Sequence, residues 1–179
     1  DAATGKLSWL TPVAPHGGLN PGGFFHGTPF PTRIGRESII VLGNGRIVRA
    51  SDGKVLYTNP EFGGPGVASP VAEGGELYLV TSGSMQLLIQ SLPDVLAEPL
   101  KLATRAVGVR SRFPKYYMPW HLSSPVIHDG LAYLVNNTGV LTVVDAAAGE
   151  IVYQKLLDLD PFQWVNEGAA RGVGVSPAL

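Results

Sequence analysis

Ser124-Pro125-Val126-Ile127-His128-Asp129-Gly130-Leu131-Ala132-Tyr133-Leu134-Val135-Asn136-Asn137-Thr138-Gly139-Val140-Leu141-Thr142-Val143-Val144-Asp145-Ala146-Ala147-Ala148-Gly149-Glu150-Ile151-Val152-Tyr153-Gln154-Lys155-Leu156 reads as four short strands in one run. Runs of β-branched, aliphatic and aromatic residues are broken at His128-Asp129-Gly130, at Asn136 to Gly139 and at Asp145 to Gly149. Asp-Gly and Asn-rich breaks tolerate the positive φ that tight hairpins need, so each break predicts a turn between antiparallel strands.

Working outward from this run, the same landmarks return. Ser-Pro or Thr-Pro ahead of apolar residues recurs at Thr28-Pro29, Ser69-Pro70, Ser124-Pro125 and Ser176-Pro177. Glycine followed by a charged residue recurs at Gly5-Lys6, Gly53-Lys54 and Gly149-Glu150, with intervals of 48 and 96 positions. A period of 48 places the missing member near position 101, where the turn has diverged into Leu-Pro-Asp-Val-Leu-Ala-Glu-Pro-Leu. The middle copy runs Ser69-Pro70-Val71, Gly74-Gly75, then Glu76 to Val80; the first copy ends at Asp52-Gly53, a type I′ candidate. Four antiparallel strands in about 40 to 50 residues, repeated in tandem, form the unit of a β-propeller blade. An αβ solenoid would need long 3.6-period stretches, and the only approach to one, Leu87 to Leu102, is interrupted by Pro93 and Pro99. A β-sandwich also strings short strands together but predicts no sequence period.

Composition agrees. The 179 residues include 23 glycines and 15 prolines, with 45% hydrophobic and 15% charged residues, as in an ordered all-β chain rich in turns. A net charge of −1 gives no reason to invoke nucleic acid, and no apolar run is long enough to span a membrane. No secretory signal pattern occurs. Without cysteine the chain has no disulfide, thiolate metal site or cysteine nucleophile.

The stretch Asp1-Ala2-Ala3-Thr4-Gly5-Lys6-Leu7-Ser8-Trp9 resembles the D-x-x-x-G-K-x-x-W docking motif of pyrroloquinoline-quinone-type (PQQ-like, BamB-like) propeller repeats. The stretch from Asp145 through Gly149 to Tyr153 is similar, and Ser51-Asp52-Gly53-Lys54-Val55-Leu56-Tyr57 is a shortened version; both carry Tyr where the family usually has Trp. The resemblance implies that Asp and Gly shape the third hairpin and that Trp9, Tyr57 and Tyr153 fill the wedge between radially arranged sheets. The implied layout is the outer strand of a preceding blade at 1–10, blades at 28–59, 68–104 and 123–157, and the start of another at 175–179. Family propellers close with seven or eight blades, so the expectation is a piece of a longer protein whose remaining blades are its first partners.

The family divides into quinone- and calcium-dependent dehydrogenases and non-catalytic scaffolds, among them the outer-membrane assembly lipoprotein BamB. The dehydrogenases commonly carry a vicinal cysteine pair, which this chain lacks. Asp158, Asp160, Asn166 and Glu167 are close in sequence and oxygen-bearing, but an acidic loop is more often solvated than calcium-loaded. The expectation is therefore a non-catalytic scaffold with no cofactor and no metal, exported by family resemblance. PQQ with calcium belongs to the alternative of a dehydrogenase.

Candidate contacts fall in the long connections between blades, Gly5 to Pro29, Asp94 to Pro125 and Gly149 to Pro177, because loops of that length are commonly functional. His26 and His121 precede Pro29 and Pro125 and should lie near the mouth of a central channel. They suit metal ligation, a proton relay or simply polar loop roles; His16 and His128 read as turn residues. From Lys101 to Lys115 runs a basic stretch with Arg105, Arg110 and Arg112, continuing into Tyr116-Tyr117-Met118-Pro119-Trp120-His121, with no acid between Glu98 and Asp129. Cations beside Tyr117 and Trp120 suit a protein partner or an anionic polymer. The competing reading is a solvated basic loop whose aromatics pack on the neighbouring blade.

Overall fold

The computed structural model describes residues 3–12, 26–62, 67–81, 84–113 and 123–157. Twelve strands make three separate four-stranded antiparallel sheets, each built from strands consecutive in sequence. The first holds β1 (Phe30–Ile34), β2 (Glu37–Val41), β3 (Ile47–Arg49) and β4 (Val55–Tyr57). The second holds β5 (Val71–Glu73), β6 (Glu76–Thr81), β7 (Gln86–Ser91) and β8 (Ala103–Gly108). The third holds β9 (Val126–His128), β10 (Leu131–Val135), β11 (Val140–Asp145) and β12 (Glu150–Leu156). No helix occurs among the described residues. These are three blades of a β-propeller, and each inner strand starts directly after its proline, at Phe30, Val71 and Val126.

The blades stack face to face. Leu77, Leu79 and Leu88 of the second blade pack with Ile34, Ile39, Val41, Ile47 and Leu56 of the first. Tyr78, Val80, Leu87 and Ile89 point the other way, toward Ala132, Leu134 and Val144 of the third. A middle sheet covered on both sides has no solvent face, which is why β6 and β7 are apolar almost without interruption rather than alternating. At the inner rim, Thr28 donates its backbone N–H to the Ser69 hydroxyl oxygen (2.9 Å), and Ser69 donates its own to that of Ser124 (3.0 Å). Thr28, Ser69 and Ser124, the Ser/Thr of the three described Ser/Thr-Pro landmarks, thus tie one inner strand to the next.

Reading each sheet across in register gives Phe30, Val41, Ile47, Tyr57 in the first blade. The second reads Val71, Tyr78, Ile89, Arg105 and the third Val126, Tyr133, Val143, Tyr153. The outermost members, preceded by Trp9, lie at positions 9, 57, 105 and 153, a constant interval of 48. Trp9 docks on the first blade: its indole Nε1–H donates to the Ala50 carbonyl (2.9 Å), beside a bond from the Thr11 hydroxyl to the Gly53 carbonyl (2.5 Å). Tyr57 packs against the first interblade core, and its hydroxyl oxygen accepts from the Gln90 amide of the second blade (3.2 Å). Arg105 holds the same place with different chemistry: it donates to the Ala147 carbonyl (2.9 Å), in the motif turn of the third blade, and pairs with Glu76. Tyr153 remains 44% exposed among the described residues.

Several expectations change. Asp129 and Gly130 both have positive φ (49° and 75°), as a type I′ turn requires, but Asp52 does not. The loop containing Asp52-Gly53 is closed by Gly53 N–H to Arg49 O (2.9 Å) and Arg49 N–H to Lys54 O (2.8 Å), so it spans four residues. The Asp52 carboxylate accepts the Lys54 N–H (3.0 Å), a local bond that favours this wider turn. Residues 3–12 form no strand, so the expected outer strand at 1–10 is represented by its docked Trp9. Strand β8 runs on to Gly108, past the expected blade end at 104, and turns residues 103–108 of the expected basic loop into sheet. Arg105 is therefore a strand residue with an acidic partner, not an unopposed loop cation.

Candidate functional site

In an antiparallel four-stranded blade, the second turn and the connection to the next blade share one face, and the first and third turns share the other. The connection face carries His26, which is exposed just before the rim residue Thr28, and the segment after β8 with Arg110 and Arg112. The opposite face carries the motif turns with Asp52, Gly53, Asp145 and Gly149, while Gly5 lies in the segment 3–12 that leads to the docked Trp9. Asp1, Tyr117, Trp120, His121, His16 and the acidic group from Asp158 to Glu167 lie outside the described residues.

Gln154 on β12 anchors the segment that carries the two arginines. Its side-chain oxygen accepts the Arg112 N–H (3.0 Å), and its Nε2 donates to the Arg110 carbonyl and to the Thr142 hydroxyl (3.0 Å each). The Arg112 guanidinium donates to the Gln154 backbone carbonyl (2.8 Å) and lies 5.3 Å from the Phe113 ring centroid. Gln154 is buried, so these bonds are shielded from water and fix the connection to the outer strand of the third blade. Arg112 thus has a structural assignment, while Arg110 presents an exposed side chain on a rigid segment. Sequence reading passed over Gln154 because a single glutamine in a strand carries no pattern. Arg105 had a signal, since 48 positions beyond Tyr57 is Arg105, but a search for aromatics skips it.

The opposite face holds an ionic tie and a cleft. Arg49 pairs with Asp52 (2.9 Å) and with Glu98, and Lys54 also pairs with Glu98. These contacts join the first blade to the β7–β8 connection of the second. The Lys54 hydrogen bond holds the Glu98 carboxyl below the usual range, and the Lys54 backbone N–H does the same for Asp52. Burial, reinforced by the bond to Glu76, pushes the Tyr78 phenol up to about 12. A cleft of about 310 Å³ opens between the first hairpins of the first two blades, lined by Thr32, Arg33, Glu73 and Asp94 among others. None of the expected contact residues lines it. Among the described residues, no three His, Asp or Glu side chains gather as a metal site.

No family model matches the chain, and no curated protein matches it significantly. Among solved structures, BamB from Moraxella catarrhalis is similar at 19% identity and a TM-score of 0.46. The match covers 88% of this chain and 45% of that one, so this chain spans less than half the length of that structure.

Proposed function

We propose that the chain is a segment of a non-catalytic PQQ-like repeat propeller that serves as an exported binding or assembly scaffold, with its contacts on the connection face. The observation that carries this reading is the anchoring of residues 110–112 by Gln154. It holds Arg110 on a pre-organised segment of the face that also bears His26. A rigid, cationic presentation suits an acidic protein segment, because little ordering entropy is lost on binding. The residues that the docking motif marks, Trp9, Gly53, Tyr57 and the turn at Ala147, serve cohesion between blades.

The test is fluorescence anisotropy of a labelled acidic peptide with the full chain, comparing Arg110→Ala with Arg33→Ala on the opposite face. The reading expects Arg110→Ala to weaken binding several-fold at low salt, with the effect shrinking as salt rises, and Arg33→Ala to leave it unchanged. Equal effects from the two variants, or none, would overturn the contact face.

A further inference from the structure

The second turn of the first blade, Leu42 to Arg46, carries an unusual set of buried donors. Asn44 is 1% exposed and Arg46 8%, and Asn59, two residues past β4, is fully buried. Gly45 sits between the first two at φ +71°, where a Cβ would lie 3.1 Å from the Asn59 Nδ2, so the Asn59 amide rests directly on the turn. Both amides have their orientation fixed by their oxygens. The Asn44 Oδ1 accepts the Arg46 N–H (3.1 Å), and the Asn59 Oδ1 accepts the Glu61 N–H (3.0 Å). That leaves the Asn44 Nδ2, the Asn59 Nδ2 and the Arg46 Nε buried with no hydrogen-bond partner.

The third blade shows what a self-sufficient turn looks like. Asn136 N–H closes it onto the Val140 carbonyl, just as Leu42 N–H closes the first onto that of Arg46. There the Asn136 Oδ1 takes three local donors, and the residue in the place of Arg46 is Val140, fully buried. The first blade puts a guanidinium where the third has valine. None of the ion pairs among the described residues involves Arg46, and the nearby Glu61 is exposed and does not pair with it. Arg46 is largely withdrawn from solvent with its Nε buried and no counter-charge among the described residues, which is unfavourable, and three unpartnered N–H donors call for an acceptor.

We infer that Asn44, Arg46 and Asn59 form an oxyanion site on the connection face of the first blade, and that its ligand group is a carboxylate. A planar carboxylate accepts two parallel bonds from a guanidinium fork and leaves lone pairs for the flanking amide N–H groups. This goes beyond the scaffold reading, because Arg110 takes no part in it. The carboxylate comes either from a free organic acid or from an acidic side chain of a protein partner.

The experiment is a titration of the ¹⁵N-labelled full chain, following the Arg46 Nε–H and the Asn44 and Asn59 side-chain amides. Succinate, a tetraglutamate peptide and sodium chloride at matched ionic strength are the probes. The inference expects saturable shifts of all three groups with a carboxylate probe and none with chloride. Arg46→Met should weaken binding by about tenfold or more, the size of a lost charge-assisted hydrogen bond. Tighter binding of tetraglutamate assigns the group to a protein partner, and equal or tighter binding of succinate assigns it to a free acid. No saturable shift of wild type with either probe, or shifts equal to those with chloride, would overturn the site, whether or not the variant folds. Retained binding in Arg46→Met would overturn it as well. Arg110→Ala should leave these shifts intact, so failure here and failure of the scaffold reading are separable.

Discussion

Gly53→Ala tests the docking of Trp9 because the structure supplies its own control. Gly53 and Gly149 occupy equivalent motif turns, and both have φ of +70°. Alanine in that conformation costs about 1–2 kcal/mol at either position from backbone strain alone. At Gly149 the added methyl meets only Val107 Cγ2 at 3.8 Å, an ordinary contact. At Gly53 it would lie 2.4 Å from Trp9 Cε3 and 2.5 Å from the Thr11 Oγ1, so the docked segment must move. Moving it breaks the indole bond to Ala50 and the Thr11 bond to Gly53, each worth about 1 kcal/mol. Gly53→Ala should therefore cost about 3.5 kcal/mol against about 1.5 for Gly149→Ala. Urea denaturation followed by far-ultraviolet circular dichroism measures both. In a Trp9→Ala, Thr11→Ala background the two costs should converge to within about 0.5 kcal/mol. Equal costs in the wild-type background would refute the docking of Trp9 on this turn.

Three further outcomes follow from the interblade contacts. Tyr57→Ala should cost about 3 kcal/mol by opening a cavity between the first two blades, and Tyr57→Phe about 1, because the Gln90 amide keeps its bond to Thr104; thermal or urea melts of the pair report the difference. Arg105→Ala should cost about 1 kcal/mol, since its pair with Glu76 is half-exposed, while Arg105→Trp, which repeats the residue found at position 9 of the 48-residue series, should retain stability in the same melts. Tyr78 favours its protonated form in the folded state, so its stabilising effect is intact below its ordinary pKa near 10 and disappears as pH rises toward about 12. Absorbance at the phenolate band should show a late step that Tyr78→Phe removes, with loss of structure over the same window.

What was legible in the sequence was what short-range chemistry decides. Asp129-Gly130 announces its turn because both residues accept positive φ, and the Ser/Thr-Pro pairs announce inner strands because proline ends one connection at a fixed place. The 48-residue interval survived because each docking position must meet the next blade at the same radius. The turn at Asp52-Gly53 was misread because a carboxylate bond to Lys54 N–H, invisible in a dipeptide, selects a longer loop. Arg105 looks unopposed when charge is counted along the chain, whereas Glu76, 29 residues upstream, lies beside it in space. The donor cluster at Arg46 left no trace in the sequence: a polar Gly-Asn-Gly-Arg turn looks exposed until Asn59 closes over it.

The division between scaffold and quinone enzyme is tested most directly by titrating pyrroloquinoline quinone with calcium into the full chain while following quinone absorbance and melting temperature. The scaffold account predicts no saturable change in either signal at micromolar quinone. Stoichiometric binding with a dissociation constant near micromolar, about −8 kcal/mol, would contradict it.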